Sequence, residues 1–162
     1  MIANLLLVIF ALLLVLIPLL FYKNDKPSCV ILWKRLALDR NARMMAVNIL
    51  ALLVIFFHLV YYAASPSEIG VLFSTPVIFF LLLTKRTVKM LLAIRERRWL
   101  QVMLSILCIA LPLLPHMLPC AITIAFVLLF AFFFPSKQAA DFYKTHYNDK
   151  DVDGKFVEAY FK

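Results

Sequence analysis

His58 lies inside an apolar run, Phe56-Phe57-His58-Leu59, with Asn48 earlier in the same stretch. An imidazole in hydrocarbon can relay a proton, bind a metal or hydrogen-bond a neighbouring helix. No second His or carboxylate stands at ligand spacing. The pattern therefore favours a neutral ring bonded to a Ser, a Thr or a backbone carbonyl of another helix. Ser105 and Cys108 lie about one turn apart, but no acid or His accompanies them, so no nucleophile is activated locally. His116 falls in a proline-rich turn and reads as a solvated residue. The cysteines Cys29, Cys108 and Cys120 form neither CxxC nor a Cys/His metal spacing, and read as small apolar side chains.

One further pattern carries chemistry. Asp149-Lys150-Asp151-Val152-Asp153-Gly154 matches the first half of an EF-hand loop, whose alternate carboxylates converge on Ca²⁺. The twelfth position should be a bidentate Glu and is Tyr160, with Glu158 two residues early. Asp149, Asp151 and Asp153 are thus a weak calcium candidate, against an ordinary acidic turn. No other metal site and no cofactor motif is present: the chain has no phosphate-cradling Gly loop, GxSxG or HExxH.

The elements that must position these residues are apolar. Of 162 residues, 65% are hydrophobic, 16% are charged and two are Gly. Soluble domains average about 45–50% apolar and about 25% charged. A single core cannot bury this surplus, so the expected class is an all-α polytopic membrane protein. Five spans are expected, at about 2–22, 45–64, 65–84, 99–114 and 119–134. Met1-Ile2-Ala3-Asn4 has no side-chain cation and Leu20-Phe21-Tyr22-Lys23 no small-x-small site, so the first run is expected to be a retained span. Ser65-Pro66-Ser67-Glu68 forms a capping box with Pro at its favoured place. Trp99–Phe134 is a 36-residue apolar stretch interrupted by Pro112, Pro115 and Pro119. One straight helix of that length would be about 54 Å, so the prolines must split it into a hairpin. That hairpin is either two short spans or a re-entrant loop. Residues 1–134 make one membrane domain, and 135–162 a short polar tail in which Ser136 can cap a helix.

Charge placement orients the chain. Lys and Arg total 17 against nine acids, for a net of +8. The cations fall in residues 23–43, 85–98 and the tail, and none falls between Met44 and Thr84 or between Trp99 and Ser136. By the positive-inside rule these segments are cytoplasmic, with the N-terminus outside. The expected location is a bacterial inner membrane. In segments 23–45 and 85–98, cations alternate with apolar residues at helical spacing. Trp33, Lys34, Arg35, Arg97, Arg98 and Trp99 are therefore expected at the lipid interface on amphipathic helices. The basic residues form no aromatic-interleaved stripe, so nucleic acid is not an expected partner. The expected partners are the bilayer and another membrane protein, or a second copy of the chain.

No Asp, Glu, Lys or Arg lies deep in a predicted span. That argues against a proton-driven transporter or pump. The expected function is helix–helix contact with other membrane proteins, as an accessory or assembly factor or an immunity or exclusion protein. In size and layout, though in no motif, the chain is similar to small inner-membrane immunity and exclusion proteins. A channel or transporter subunit is the alternative, with Asn48, His58, Ser74, Thr75, Ser105 and Thr123 as few pore-lining candidates. A lipid-active enzyme using His58 or His116 is a third.

Overall fold

The computed structural model describes residues 27–64, 69–146, 148 and 151–161, and these form helices and turns with no strand. The helices are α1 (Pro27–Leu38), α2 (Arg40–Ala64), α3 (Ile69–Leu82), α4 (Thr84–Glu96), α5 (Arg98–Ala110), α6 (Leu118–Phe133), α7 (Lys137–Thr145) and α8 (Val152–Phe161). A 3₁₀ turn, Leu111–Leu113, follows α5. The expected span 2–22 and the Ser65–Glu68 capping box lie outside the described residues.

The span count is the main correction. Among the described residues, two stretches are long and apolar enough to cross a membrane, Arg40–Ala63 and Leu118–Thr145, not the expected four of five. The apolar part of the second ends near Phe134, before Ser136 caps α7 through Ala139 N–H at 3.3 Å. Ile69–Leu82 and Arg98–Leu113 are apolar but shorter. The reason lies at the corners. A break at Leu83 separates α3 from α4, one at Arg97 separates α4 from α5, and Pro112 and Pro115 stop α5. At 14 residues, α3 rises about 21 Å, against a hydrocarbon core of about 30 Å.

Three helix ends share one solution to their orphan carbonyls. Arg43 Nη1 donates to Leu36 O and Ala37 O at the end of α1, at 3.1 and 2.9 Å. Thr87 Oγ1 lies 3.1, 3.2 and 3.3 Å from Phe80 O, Leu81 O and Leu83 O at the end of α3. Gln101 Nε2 donates to Ile94 O and Arg95 O at the end of α4, at 3.0 and 2.8 Å. Each time a polar side chain in the first turns of the next helix reaches back seven and six residues. Carbonyls left bare at a helix end are costly where water is scarce. Gln101→Leu is therefore expected to lower stability by about 1–3 kcal/mol, read from unfolding of the detergent-solubilised protein by SDS. An unchanged unfolding midpoint would remove this role.

Helix α6 is the centre of the bundle. Ile122, Ala125, Leu128 and Ala131 are fully or nearly fully buried, and α2, α3, α4 and α5 all pack on this helix. Helix α2 offers it one stripe, Val47, Leu50, Ala51 and Val54, at the 3–4 residue spacing of a single helical face. The opposite stripe of α2 is apolar and uncovered: Leu52, Phe56 and Leu59 are 67%, 68% and 60% exposed. Helix α4 was expected as a surface segment or an extension of α3. It is a separate helix whose Leu91 and Ile94 enter the main core, while Lys85, Arg86 and Lys89 stay outside.

The tail is folded. α1, α7 and α8 enclose a second core of Val30, Trp33, Ala37, Ala139, Tyr143, Val152 and Phe156. Trp33, expected at headgroup level, is buried to 6% exposure and meets Phe156 edge-on at 6.3 Å. Aromatic surface that finds a protein partner leaves the interface.

Candidate functional site

The polar residues of the apolar helices meet in pairs. Helix α2 carries His58 about 9 Å from its end at Ala64 and about 27 Å from Arg40, by helical rise. There His58 Nδ1 lies 3.1 Å from Ser74 Oγ on α3. The Ser74 hydroxyl, buried, donates to Val71 O at 3.0 Å. A hydroxyl has one proton. With that proton on Val71 O, Ser74 accepts from Nδ1–H, and the outer nitrogen Nε2 carries the lone pair. Thr75 Oγ1 likewise donates to Val71 O, at 2.8 Å. Asn48 is not part of this group. It lies near the other end of α2, where its Oδ1 accepts from Thr84 Oγ1 at 3.4 Å.

This arrangement clasps two helices. It does not assemble an acid, a base and a nucleophile. Such polar contacts between spans are worth about 0.6 kcal/mol on average and rarely above about 1.7. A double-mutant cycle of His58→Ala and Ser74→Ala is expected to give a coupling in that range, read from SDS unfolding. A coupling near zero would show that the two side chains act independently.

The start of α3 is tied to the proline turn at the far end. Gly70 N–H donates to His116 O at 2.8 Å, and Cys120 Sγ donates to Gly70 O at 3.2 Å. Cys108 Sγ donates to Ala121 O at 3.1 Å, which closes α5 on α6 just below the proline turn. His116 sits at the tip with φ 64°, in the left-handed region. At the opposite end Arg95 lies over the Phe132 ring, 5.9 Å from its centroid. The starts of α2 and α5, the ends of α3 and α6, and all of α4 therefore share one end. The described cations within α2 to α6 are Arg40, Arg43, Lys85, Arg86, Lys89, Arg95, Arg97 and Arg98, and all of them fall there.

The remaining candidate residues are dispersed. Lys34 pairs with Asp153 Oδ2 at 3.1 Å, joining α1 to α8. Asp151 Oδ1 accepts from Gly154 N–H at 3.3 Å, so it caps α8, and Gly154 lies inside a helix rather than at a loop turn. Asp149 lies outside the described residues. Among the described residues no three His, Cys, Asp or Glu side chains gather at a metal site. Arg35, Arg97, Arg98 and Trp99 are exposed. Tyr143 is fully buried, and burial, then the nearby Asp153 carboxylate, pushes its phenol well above the ordinary value. A raised phenol pKa favours the folded state fully below the unfolded value of about 10 and less as pH rises beyond it. The tail is therefore expected to loosen above about pH 10, and Tyr143→Phe to remove that dependence, as followed by tail proteolysis across pH. The same alkaline loosening in both proteins would refute it.

Two cavities open at the cationic end. One, of about 390 Å³, lies between the α4–α5 corner and the start of α7 and includes Arg95, Glu96, Arg98 and Lys137. The other, of about 270 Å³, is lined by Arg40, Arg43, Met44, Lys85, Val88 and Lys89. The expected lipid contacts did not include this second set. Its signal was legible as cations three or four residues apart on two helices. Against known proteins, no family model, curated protein or solved structure matches the chain. The site must be read from its own chemistry.

Proposed function

We propose that the chain is an integral protein of a bacterial inner membrane that works by helix–helix contact with another membrane protein. The observation that carries this reading is α2. Within Arg40–Ala63 an 18-residue apolar window has a mean hydropathy of 2.3, yet only 22% of that window is buried within the chain. A 24-residue apolar helix with one face uncovered needs lipid or a partner helix along that face. The polar residues of the spans support contact over transport: Ser74 and Thr75 bond to Val71 O, and His58 to Ser74.

In this reading α2 and α6 cross the bilayer, and the shorter apolar helices α3 and α5 pack on α6. The cationic end faces the cytoplasm. Purification in mild detergent tests the functional part. A stoichiometric unrelated membrane protein retained with the chain is the expected result. A symmetric homo-oligomer that conducts ions would overturn it in favour of a channel.

A further inference from the structure

The 270 Å³ groove between the start of α2 and α4 holds four cations and no carboxylate among its lining residues. None of Arg40, Arg43, Lys85 and Lys89 forms an ion pair among the described residues. Asp39, next in sequence to Arg40, is not among the lining residues, and its Oδ1 accepts from Asn41 N–H at 2.7 Å. Lys85 and Lys89 stand one turn apart on α4, a spacing at which like charges repel. Arg43 has Nη1 fixed on Leu36 O and Ala37 O, which holds its guanidinium plane at the groove while Nη2 and Nε remain to donate. The remaining lining is apolar, from Met44 and Val88. Four converging cations over an apolar floor oppose one another unless an anion joins them. The anion that fits must be polar at one end and apolar at the other.

We propose that this groove binds the headgroup of an anionic phospholipid. The phosphodiester oxygens sit among Arg40, Arg43, Lys85 and Lys89, with the apolar part of the lipid nearest the headgroup against Met44 and Val88. A headgroup with two phosphodiesters matches the four charges best. Basic pockets between helices at the cytoplasmic face bind such headgroups by charge-assisted hydrogen bonds. The proposal rests on the membrane reading above, because it places the cationic end at headgroup level.

The test is lipid retention by the detergent-purified full chain, measured by native mass spectrometry. Diphosphatidylglycerol, phosphatidylglycerol and phosphatidylcholine are offered in turn. The expected order of retention is the same as the order just given. Arg40→Gln with Lys89→Gln should weaken diphosphatidylglycerol retention about thirtyfold, at roughly a factor of five for each cation near the surface. Arg86→Gln with Lys144→Gln removes as much charge away from the groove and should change it less than threefold. Arg43 is left intact because it also closes the α1 corner. Equal losses in the two double variants, or equal retention of all three lipids, would overturn the groove as a site while leaving the membrane reading intact. Displacement of the lipid by millimolar inorganic phosphate would assign the groove to a free anion and overturn the lipid source. Recovery of the chain in the buffer-soluble fraction without detergent would overturn the membrane reading itself.

Discussion

Replacing Phe156 with Ala is expected to cost about 3–5 kcal/mol and to release α7 and α8 from α1. Phe156 is fully buried, and its ring stands 4.6 Å from Tyr143, 5.6 Å from Phe142 and 6.3 Å from Trp33 between centroids. Among the described residues seven buried side chains make this core, and the Lys34–Asp153 ion pair across it is partly exposed and adds little. The loss of one ring therefore removes much of what docks the tail. The reporter is built in. Trp33 is buried, whereas the second tryptophan, Trp99, is 59% exposed and gives a constant background. Undocking should shift Trp33 emission to the red and open Lys144 and Lys155 to trypsin, while the apolar bundle stays folded. Unchanged emission and an unchanged digestion pattern would show that α7 and α8 are held by something else.

The second large effect is at Gly70. Gly70→Val should lower the stability of the bundle by about 3 kcal/mol, and Gly70→Ala by somewhat less. A Cβ at position 70 would stand 2.5 Å from His116 O, 2.9 Å from Pro119 Cδ and 3.2 Å from Met117 Cα. Two of these are backbone atoms and the third a ring carbon, so none can rotate aside. Separation to normal contact would also stretch the Gly70–His116 hydrogen bond and the Cys120–Gly70 bond. Gly154 supplies the contrast. A Cβ there meets only the Asp151 carboxylate, at 2.7 Å from either oxygen, and that side chain can turn away. Gly154→Ala gains helix propensity of about 1 kcal/mol and partly weakens the cap, so its net effect should stay within about 1 kcal/mol. SDS unfolding of the two variants side by side decides the matter. Equal effects would mean that the close approach of α3 to the proline turn is not a constraint.

Much of this architecture is legible in the chain itself because it follows from local rules. The prolines at 112, 115 and 119 divide the long apolar stretch where the structure places the turn between α5 and α6. Ser136 caps α7 as its position before Lys137–Thr145 suggests. The basic clusters mark the ends of α2, α3 and α5. What local reading could not supply is pairing between distant segments. Trp33 among cations looks like a headgroup anchor until Phe156, more than a hundred residues later, covers it. Spacing within the acidic run at 149–154 does not show that Lys34 pairs with Asp153 or that Asp151 caps α8. The polar clasp of His58 had a visible donor but no visible partner, since Ser74 becomes its neighbour only when α2 and α3 fold back on one another. The corners held by Arg43, Thr87 and Gln101 depend on single side chains reaching back two turns, a geometry no periodicity announces.

In the proposed membrane reading the cationic end and the proline-turn end lie on opposite faces of a bilayer, and thiol labelling tests this placement. Cys29, Cys108 and Cys120 are free and would be replaced by Ser or Ala, then a single cysteine introduced as Arg97→Cys or as His116→Cys. With a membrane-impermeant maleimide, the cysteine at 116 should react in right-side-out vesicles, and the one at 97 only in inverted vesicles. Both positions reacting from the same face would contradict the account.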